Sequence, residues 1–143
     1  MRIENVNTHI IQVELSEPFH WAIGEAISRG SCVVEVITDT GLIGWGECFG
    51  PAGPAAAMVE AYKPSLIGAD PLATEQIWQN LYAVFRDQGQ KGVPICAISG
   101  IDIALWDIKG KHFDAPIHQL MGGPLRSEVR AYATGTYRTR TGD

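Results

Sequence analysis

The stretch that decides the fold runs from Ala97 to Lys111 and reads Ala-Ile-Ser-Gly-Ile-Asp-Ile-Ala-Leu-Trp-Asp-Ile-Lys-Gly-Lys. Its apolar residues recur at steps of three and four, which is the spacing of one face of an α-helix. Because a stripe this wide must be covered by another element, the pattern predicts a helix over residues 94–111 that packs on a partner layer. The stripe consists of Ile98, Ile101, Leu105 and Ile108, with Ala97 and Ala104 beside it.

The first half of the chain supplies the partner layer as a β-meander. Asp39-Thr40-Gly41 forms a turn between two strand-like runs, so residues 31–48 predict a hairpin. Gly44 and Gly46 lie on one face of the returning strand, which indicates that another backbone or a helix packs closely there. The three predicted strands are residues 7–15, 31–38 and 42–48.

The second half is predicted to be helical. Beside the central helix, we expect a helix over 55–67 and one from Pro116 to the glycines at 122 and 123. A further helix is expected to run to about residue 85, with Asp70 as its N-cap and Pro71 at its first position. The fold class is therefore α+β, a three-stranded antiparallel meander packed on a helical layer. The apolar run Val129–Gly135 predicts a short buried strand that fits no partner in this layer.

Composition and charge exclude several classes of function. Of the 143 residues, 45% are hydrophobic and 19% are charged, as in ordinary globular domains. The net charge of -5 gives no reason to expect nucleic acid or an anionic membrane as partner. The first five residues do not resemble a signal peptide, and no apolar run is long enough to span a membrane. Cys32, Cys48 and Cys96 fit no zinc or disulfide spacing, so we expect a reducing cytoplasm.

The run Ser99–Lys111, followed by Ala115-Pro116-Ile117 and by Gln119–Gly123, resembles the end of the capping domain of the enolase superfamily. The mandelate racemase/muconate lactonizing branch is the nearest match. The resemblance covers residues 1 to about 135. It implies a capping domain over residues 1–125, and over 126–143 a linker with the first strand of a (β/α)8 barrel whose remainder is missing from the chain.

The resemblance also implies the chemistry of the parent enzyme. Members of this family remove a proton next to a carboxylate and hold the resulting enolate on a magnesium ion. Their metal ligands and bases lie on later barrel strands, so Mg²⁺ would be bound by the missing barrel. We therefore assign no catalytic residue and no metal ligand to this chain, and expect it to be inactive alone. We also expect a homo-oligomer.

Two residue pairs imitate a catalytic site without forming one. Lys109 and Lys111 match a Lys-x-Lys pattern, but on a helix they point about 200° apart. Asp102 and Asp107 are separated by about 140° and cannot share one ion. We interpret both pairs as structural, with Asp107 paired to Lys111 at i,i+4.

Two connecting segments are better candidates for function. Residues 16–30 form a fifteen-residue connection between two predicted strands, and connections this long are often functional. Residues 49–54 follow the third strand at the entry to a helix. In relatives these two loops close over the barrel mouth and shape the substrate pocket. The expected substrate-binding residues are His20, Trp21, Arg29 and Phe49, with Tyr137 just past the barrel strand.

Two classes of function remain open at this point. The first is the N-terminal part of a magnesium-dependent enzyme that acts on a small carboxylate, with a sugar acid as the expected substrate. Dehydration is the preferred reaction, and racemization or cycloisomerization are alternatives. The second is a small binding or assembly module that acts without catalysis. Continuation of the reading frame past Asp143 distinguishes the two.

Overall fold

The computed structural model of this protein describes residues 1–134 and the backbone of residues 138 and 139. The described chain forms one antiparallel sheet with strand order β3-β2-β1-β4, and helices that follow the first three strands. The elements are β1 (Ile3–Trp21), β2 (Gly24–Thr38), β3 (Ile43–Cys48), α1 (Ala52–Leu66), α2 (Thr74–Val84), α3 (Val93–Phe113), α4 (Ile117–Leu120) and β4 (Arg138–Thr139).

The core lies between one face of the sheet and the helices α1 and α3. The predicted stripe of α3 is buried along its whole length, with Ile98, Ile101, Leu105 and Ile108 each at most 1% exposed. The sheet contributes alternate residues, as a half-buried sheet requires. They are Val6 from β1, Cys32, Val34 and Val36 from β2, and Cys48 from β3. The predicted α+β architecture is confirmed.

Glycines set the distance between α3 and β3. A Cβ atom built on Gly44 would overlap the carbonyl oxygen of Ala104, and one on Gly46 would overlap that of Gly100. The two backbones therefore touch directly, as the paired glycines predicted. Gly100 completes the fit, because a Cβ there would overlap the Sγ atom of Cys48.

The helix α2 begins one turn later than the sequence indicated. The Asp70 carboxylate accepts a hydrogen bond from the N–H of Leu72 at 3.0 Å, and the Asp70 carbonyl accepts one from Ala73 at 3.1 Å. Asp70 thus caps a separate turn, and the helix starts at Thr74. The prediction of Asp70 as its N-cap was wrong, because an aspartate can stabilise a turn in the same way as a helix start.

The predicted loop over residues 16–30 is not a loop. β1 continues to Trp21 and β2 begins at Gly24, so this segment is a long hairpin that turns at Ala22 and Ile23. The sequence pattern does not indicate this hairpin, because Pro18 interrupts the strand pattern and the turn residues Ala22 and Ile23 include no glycine or asparagine.

The predicted strand Val129–Gly135 is not formed over the part that the structure describes. Residues 129–134 form no strand, and the side chains of Val129 and Tyr132 are 81% and 89% exposed; Gly135 lies outside the described residues. An apolar run is buried as a strand only where other strands flank it, and no described strand lies beside this one.

None of the described helices is long and apolar enough to cross a bilayer.

Candidate functional site

The candidate site is the part of the β1–β2 hairpin that extends beyond the end of β3, residues 11–31, called the hairpin arm below. β3 stops pairing where Cys48 faces Cys32, whereas β1 and β2 pair as far as Trp21 and Gly24. Eight further residues of β2 correspond to roughly 26 Å at about 3.3 Å per residue. The arm therefore carries its tip well away from the packed core.

One strand irregularity divides the arm into a base and a tip. Glu14 faces Ser28, and the next paired residues are Phe19 and Ala26. Four residues of β1, 15–18, thus lie opposite the single residue Ile27. Such a bulge bends the strand and re-aims the side chains that follow it. The direction of the tip is therefore decided at this bulge.

Aromatic and cationic side chains meet around the bulge in a tip cluster formed by Phe19, Trp21 and Arg29. The Arg29 guanidinium carbon lies 4.7 Å from the centroid of the Phe19 ring. The rings of Phe19 and Trp21 are 6.2 Å apart and tilted by 49°. Trp21 remains 48% exposed, so it offers an apolar surface to whatever faces the tip.

His20 carries the polar chemistry of the tip. It faces Glu25 across the strand pair, with its Nε2 atom 3.6 Å from the Glu25 carboxylate. Because neighbours on a strand point to opposite faces, the His20 side chain leaves the sheet opposite to that of Trp21. The tip thus presents an aromatic face and a polar face.

Phe49 lies at the base of the arm rather than at its tip. It follows β3 directly, is 83% exposed, and precedes Gly50, whose φ of 97° turns the chain into α1. A Cβ built on Gly30 would lie 4.0 Å from that of Ala52, which places this turn beside the arm's base. The structure therefore brings Trp21 and Arg29 together in the tip cluster, places His20 on the opposite face of the tip, and leaves Phe49 apart from all three. The prediction for Tyr137 lies outside the described residues.

The residue pairs that imitate a catalytic site are structural. The Asp107 carboxylate accepts hydrogen bonds from the Trp45 N–H at 2.9 Å and from Lys111 at 2.6 Å, as an i,i+4 pair. Lys109 instead donates to the Thr74 hydroxyl at 3.2 Å and lies over the Trp106 ring. Within the described part of the chain, no three His, Cys, Asp or Glu residues are placed to hold a metal ion.

The structure has a groove between α2 and α3 that the sequence did not predict. It measures about 330 Å³, and Asp102 lies half-buried in it. Burial raises the pKa of the Asp102 carboxyl, and the nearby Glu75 charge raises it further, while Lys109 lowers it. The signal in the sequence is the i,i+4 spacing of Asp102 and Trp106, which by itself indicates only that the two side chains share one face of a helix. The lining residues are Thr74, Glu75, Trp78, Asp102 and Trp106.

The open face of the sheet carries a hydrogen-bonded network around Glu35. Asn7 donates to the Glu35 carboxylate at 3.0 Å, and the His9 Nε2 atom lies 3.1 Å from the same oxygen. The hydrogen bond from Asn7 is the main cause that lowers the pKa of Glu35, and His9 adds to it. These side chains lie on the neighbouring strands β1 and β2, so the network links the two strands across the sheet.

The cysteines are free thiols packed into the fold. Cys32 and Cys48 are buried and face each other across β2 and β3. Burial is the main cause that raises the pKa of Cys48 to about 12. A thiol that holds its proton so firmly is a poor nucleophile, so these residues behave as core side chains.

The fold and the arm define a class of protein, an α+β domain whose hairpin extends beyond a sheet covered by helices. Residues 5–122 match the family described as mandelate racemase/muconate lactonizing enzyme, N-terminal domain. The chain belongs to this family of the enolase superfamily.

Individual relatives agree with this assignment. D-galactarolactone cycloisomerase of Agrobacterium fabrum is 53% identical over 138 residues, which cover 96% of this chain and 36% of that protein. D-galactonate dehydratase of Pectobacterium atrosepticum is 44% identical over 104 residues, which cover 70% of this chain and 26% of that protein. The crystal structure of 3,6-anhydro-D-galactonate cycloisomerase from Zobellia galactanivorans superposes with a TM-score of 0.77 at 34% identity, covering 86% of this chain and 32% of that chain. This chain thus spans about a third of the length of these relatives.

Proposed function

We propose that this chain is the N-terminal capping part of an enolase-superfamily enzyme that acts on a carboxylate derived from a sugar acid. The observation that carries the proposal is 53% identity to a D-galactarolactone cycloisomerase over 96% of the chain. The hairpin arm is the element that would cover the substrate, because its tip extends beyond the core with an exposed tryptophan.

The comparison also orders the candidate reactions. The sequence alone favoured a sugar-acid dehydratase, with racemization and cycloisomerization as alternatives. The cycloisomerase relative matches over more of the chain and at higher identity than the galactonate dehydratase. We therefore place cycloisomerization of a sugar-acid lactone first and dehydration second. All of these reactions begin, in this family, with removal of the proton next to a carboxylate.

The residues that the structure describes do not fit a magnesium ion. Asp107 is already bonded to Trp45 and Lys111, and Asp102 lies in a separate groove beside Glu75. No step through the metal is therefore assigned to these residues. In the proposal, Mg²⁺ is held by the barrel part of the longer protein.

The tip residues have separate roles in the proposal. The exposed indole of Trp21 would lie over the bound substrate and exclude water, which strengthens the electrostatic interactions beneath it. His20, on the opposite face, would donate a hydrogen bond to a hydroxyl at the edge of the pocket. Phe49 would line the base of the arm. Tyr137 stays a prediction from its position in the sequence.

A two-part experiment tests the proposal. The gene is first read past Asp143, where we expect a barrel's length of sequence with three acidic metal ligands. In the full-length protein, Trp21→Ala should then lower kcat/KM for D-galactarolactone at least tenfold, about 1.4 kcal/mol of transition-state binding, with little change in melting temperature.

Trp45→Ala is the matched control, because Trp45 is 44% exposed but lies on the open sheet face away from the arm. It should leave kcat/KM unchanged. Equal kinetic losses in both variants, or a large loss of stability for Trp21→Ala with unchanged kinetics, would withdraw the capping role of the arm.

The alternative from another class is a stand-alone binding or assembly module. The exposed apolar side chains of Ile23 on the arm and of Val129 and Tyr132 near the end of the chain favour a surface that packs against something else. A stop codon directly after Asp143 would support this alternative over the enzyme.

A further inference from the structure

We infer that Arg29 is a positioning residue that holds the tip of the hairpin arm across the bulge of β1, and does not bind substrate itself. The inference rests on the proposed function of the arm as a substrate cover. It replaces the expectation from sequence that the Arg29 cation contacts the substrate.

The two partners of the contact lie on opposite sides of the bulge. Arg29 faces Val13, on the base side, whereas Phe19 faces Ala26, on the tip side. Between them the ladder pairing of β1 is lost over residues 15–18. Backbone pairing within the hairpin is therefore interrupted between tip and base. The pairing of β4 with Phe19 and His20 lies on the tip side of this gap, whereas a side-chain contact from Arg29 to Phe19 crosses it.

The Arg29–Phe19 contact is suited to holding the tip. The guanidinium lies 4.7 Å from the ring centroid, within the range in which a cation is attracted to an aromatic face. Its planar group stacks on a ring in a defined orientation. Phe19 in turn contacts Trp21, so the position of the exposed indole follows that of Arg29 through one intervening ring.

The charge of Arg29 is not paired elsewhere in the described chain. The ion pairs of residues 1–134 involve other cations, and the nearby Glu25 carboxylate lies next to His20. The Phe19 face is thus the partner that the structure gives to this guanidinium. A side chain already held in this way acts on substrate through Trp21.

Amide hydrogen exchange tests the structural half of the inference. In the 143-residue chain, Arg29→Met and Phe19→Leu should each speed exchange of the amides of residues 19–26 by roughly two- to five-fold, the size expected for an exposed cation–π pair. The double variant should exchange no faster than Phe19→Leu alone, because the Arg29 contact needs the Phe19 ring, whereas Phe19→Leu also removes the ring contact with Trp21. Arg86→Met, at an exposed arginine after α2, is the control and should leave these amides unchanged.

Kinetics of the full-length protein with D-galactarolactone test the functional half. Each single variant should lower kcat/KM several-fold, and the double variant should lower it no further than Phe19→Leu alone. Unchanged exchange with a raised KM for Arg29→Met alone would show that Arg29 binds substrate, which overturns the inference and leaves the capping role of the arm intact. Faster exchange with unchanged kinetics would show that the tip does not act on substrate, which overturns both.

Discussion

Gly46 shows how a missing side chain determines the distance between two layers. The carbonyl oxygen of Gly100 occupies the space where a Cβ of residue 46 would be, so helix and strand meet backbone to backbone. The same close contact recurs two residues away along the strand, where Gly44 meets the carbonyl oxygen of Ala104, one helical turn after Gly100. Small residues along this line allow the neighbouring isoleucines to reach the sheet.

Gly46→Ala should therefore destabilise the protein by about 1–3 kcal/mol, since the overlapping atom belongs to the backbone and cannot rotate away. Urea unfolding followed by circular dichroism measures the change. Gly53→Ala is the control, because a Cβ at this helical position meets nothing within 4 Å. It should be neutral or stabilise by up to about 1 kcal/mol. Similar losses in both variants would show that close packing is not the cause.

The two aspartates of α3 have opposite effects on stability. Asp107 is satisfied by a backbone N–H and a lysine, whereas Asp102 is half-buried with Glu75 as its neighbour and no hydrogen bond among the described residues. A carboxyl with a raised pKa in the folded state costs stability once it ionises, above that pKa. At neutral pH the charge of Asp102 is therefore unfavourable.

Asp102→Asn should accordingly stabilise the protein at pH 7, because the amide stays neutral. The gain should shrink as the pH falls through the raised pKa of the Asp102 carboxyl, where the parent protein takes up its own proton. Asp107→Asn should instead destabilise by about 1 kcal/mol by weakening two hydrogen bonds. Denaturant unfolding at several pH values measures both, and a loss of stability for Asp102→Asn at pH 7 would contradict the argument.

At the scale of the element, α3 contributes to the core through one face only. Ile101 is fully buried, whereas Ile103, two positions later, is 45% exposed. The helix period places these equally apolar residues about 200° apart. Because Ile101 and Ile103 are the same residue type on one helix, comparing their substitutions tests which face of α3 is packed.

Ile101→Ala should lower the free energy of unfolding by about 2–5 kcal/mol, through lost burial and the cavity left behind. Ile103→Ala should change it by less than about 1 kcal/mol, because its side chain keeps much of its contact with water. Chemical unfolding of both variants gives the comparison. An effect below half a kilocalorie at Ile101 would place the buried face elsewhere.

At the scale of the whole molecule, the apolar core is completed before residue 125. Its buried members run from Ile3 to Ile108, and the described residues after Gly123 are largely exposed. The boundary at residue 125 between capping domain and barrel linker remains a prediction. The structure suggests how to test it.

A chain that ends at Leu125 should therefore unfold cooperatively at nearly the same temperature as the 143-residue chain. Calorimetry on both proteins measures the two transitions. The hairpin tip is the exception, because β4 pairs with Phe19 and His20 and is absent from the shorter chain. Loss of the cooperative transition would show that the domain extends into residues 126–143.

The sequence by itself determined the helix α3, the meander and the layer between them. Helix periodicity, strand alternation and the paired glycines are local patterns. Each of them indicates a face that must be buried against another element. The family and the structural character of Lys109, Lys111 and Asp107 followed from the same stretch. These features need no information from distant parts of the chain.

Only the tertiary structure decided the hairpin arm, the start of α2 and the environment of Asp102. The arm pairs strands across a bulge, and no local signal distinguishes such pairing from a loop that contains Pro18. Residues 129–134 fail as a strand because strand formation depends on neighbours, which a local pattern cannot supply. The positioning role inferred for Arg29 also depends on the tertiary structure, since the Phe19 ring beside it lies ten residues away, across the turn of the hairpin.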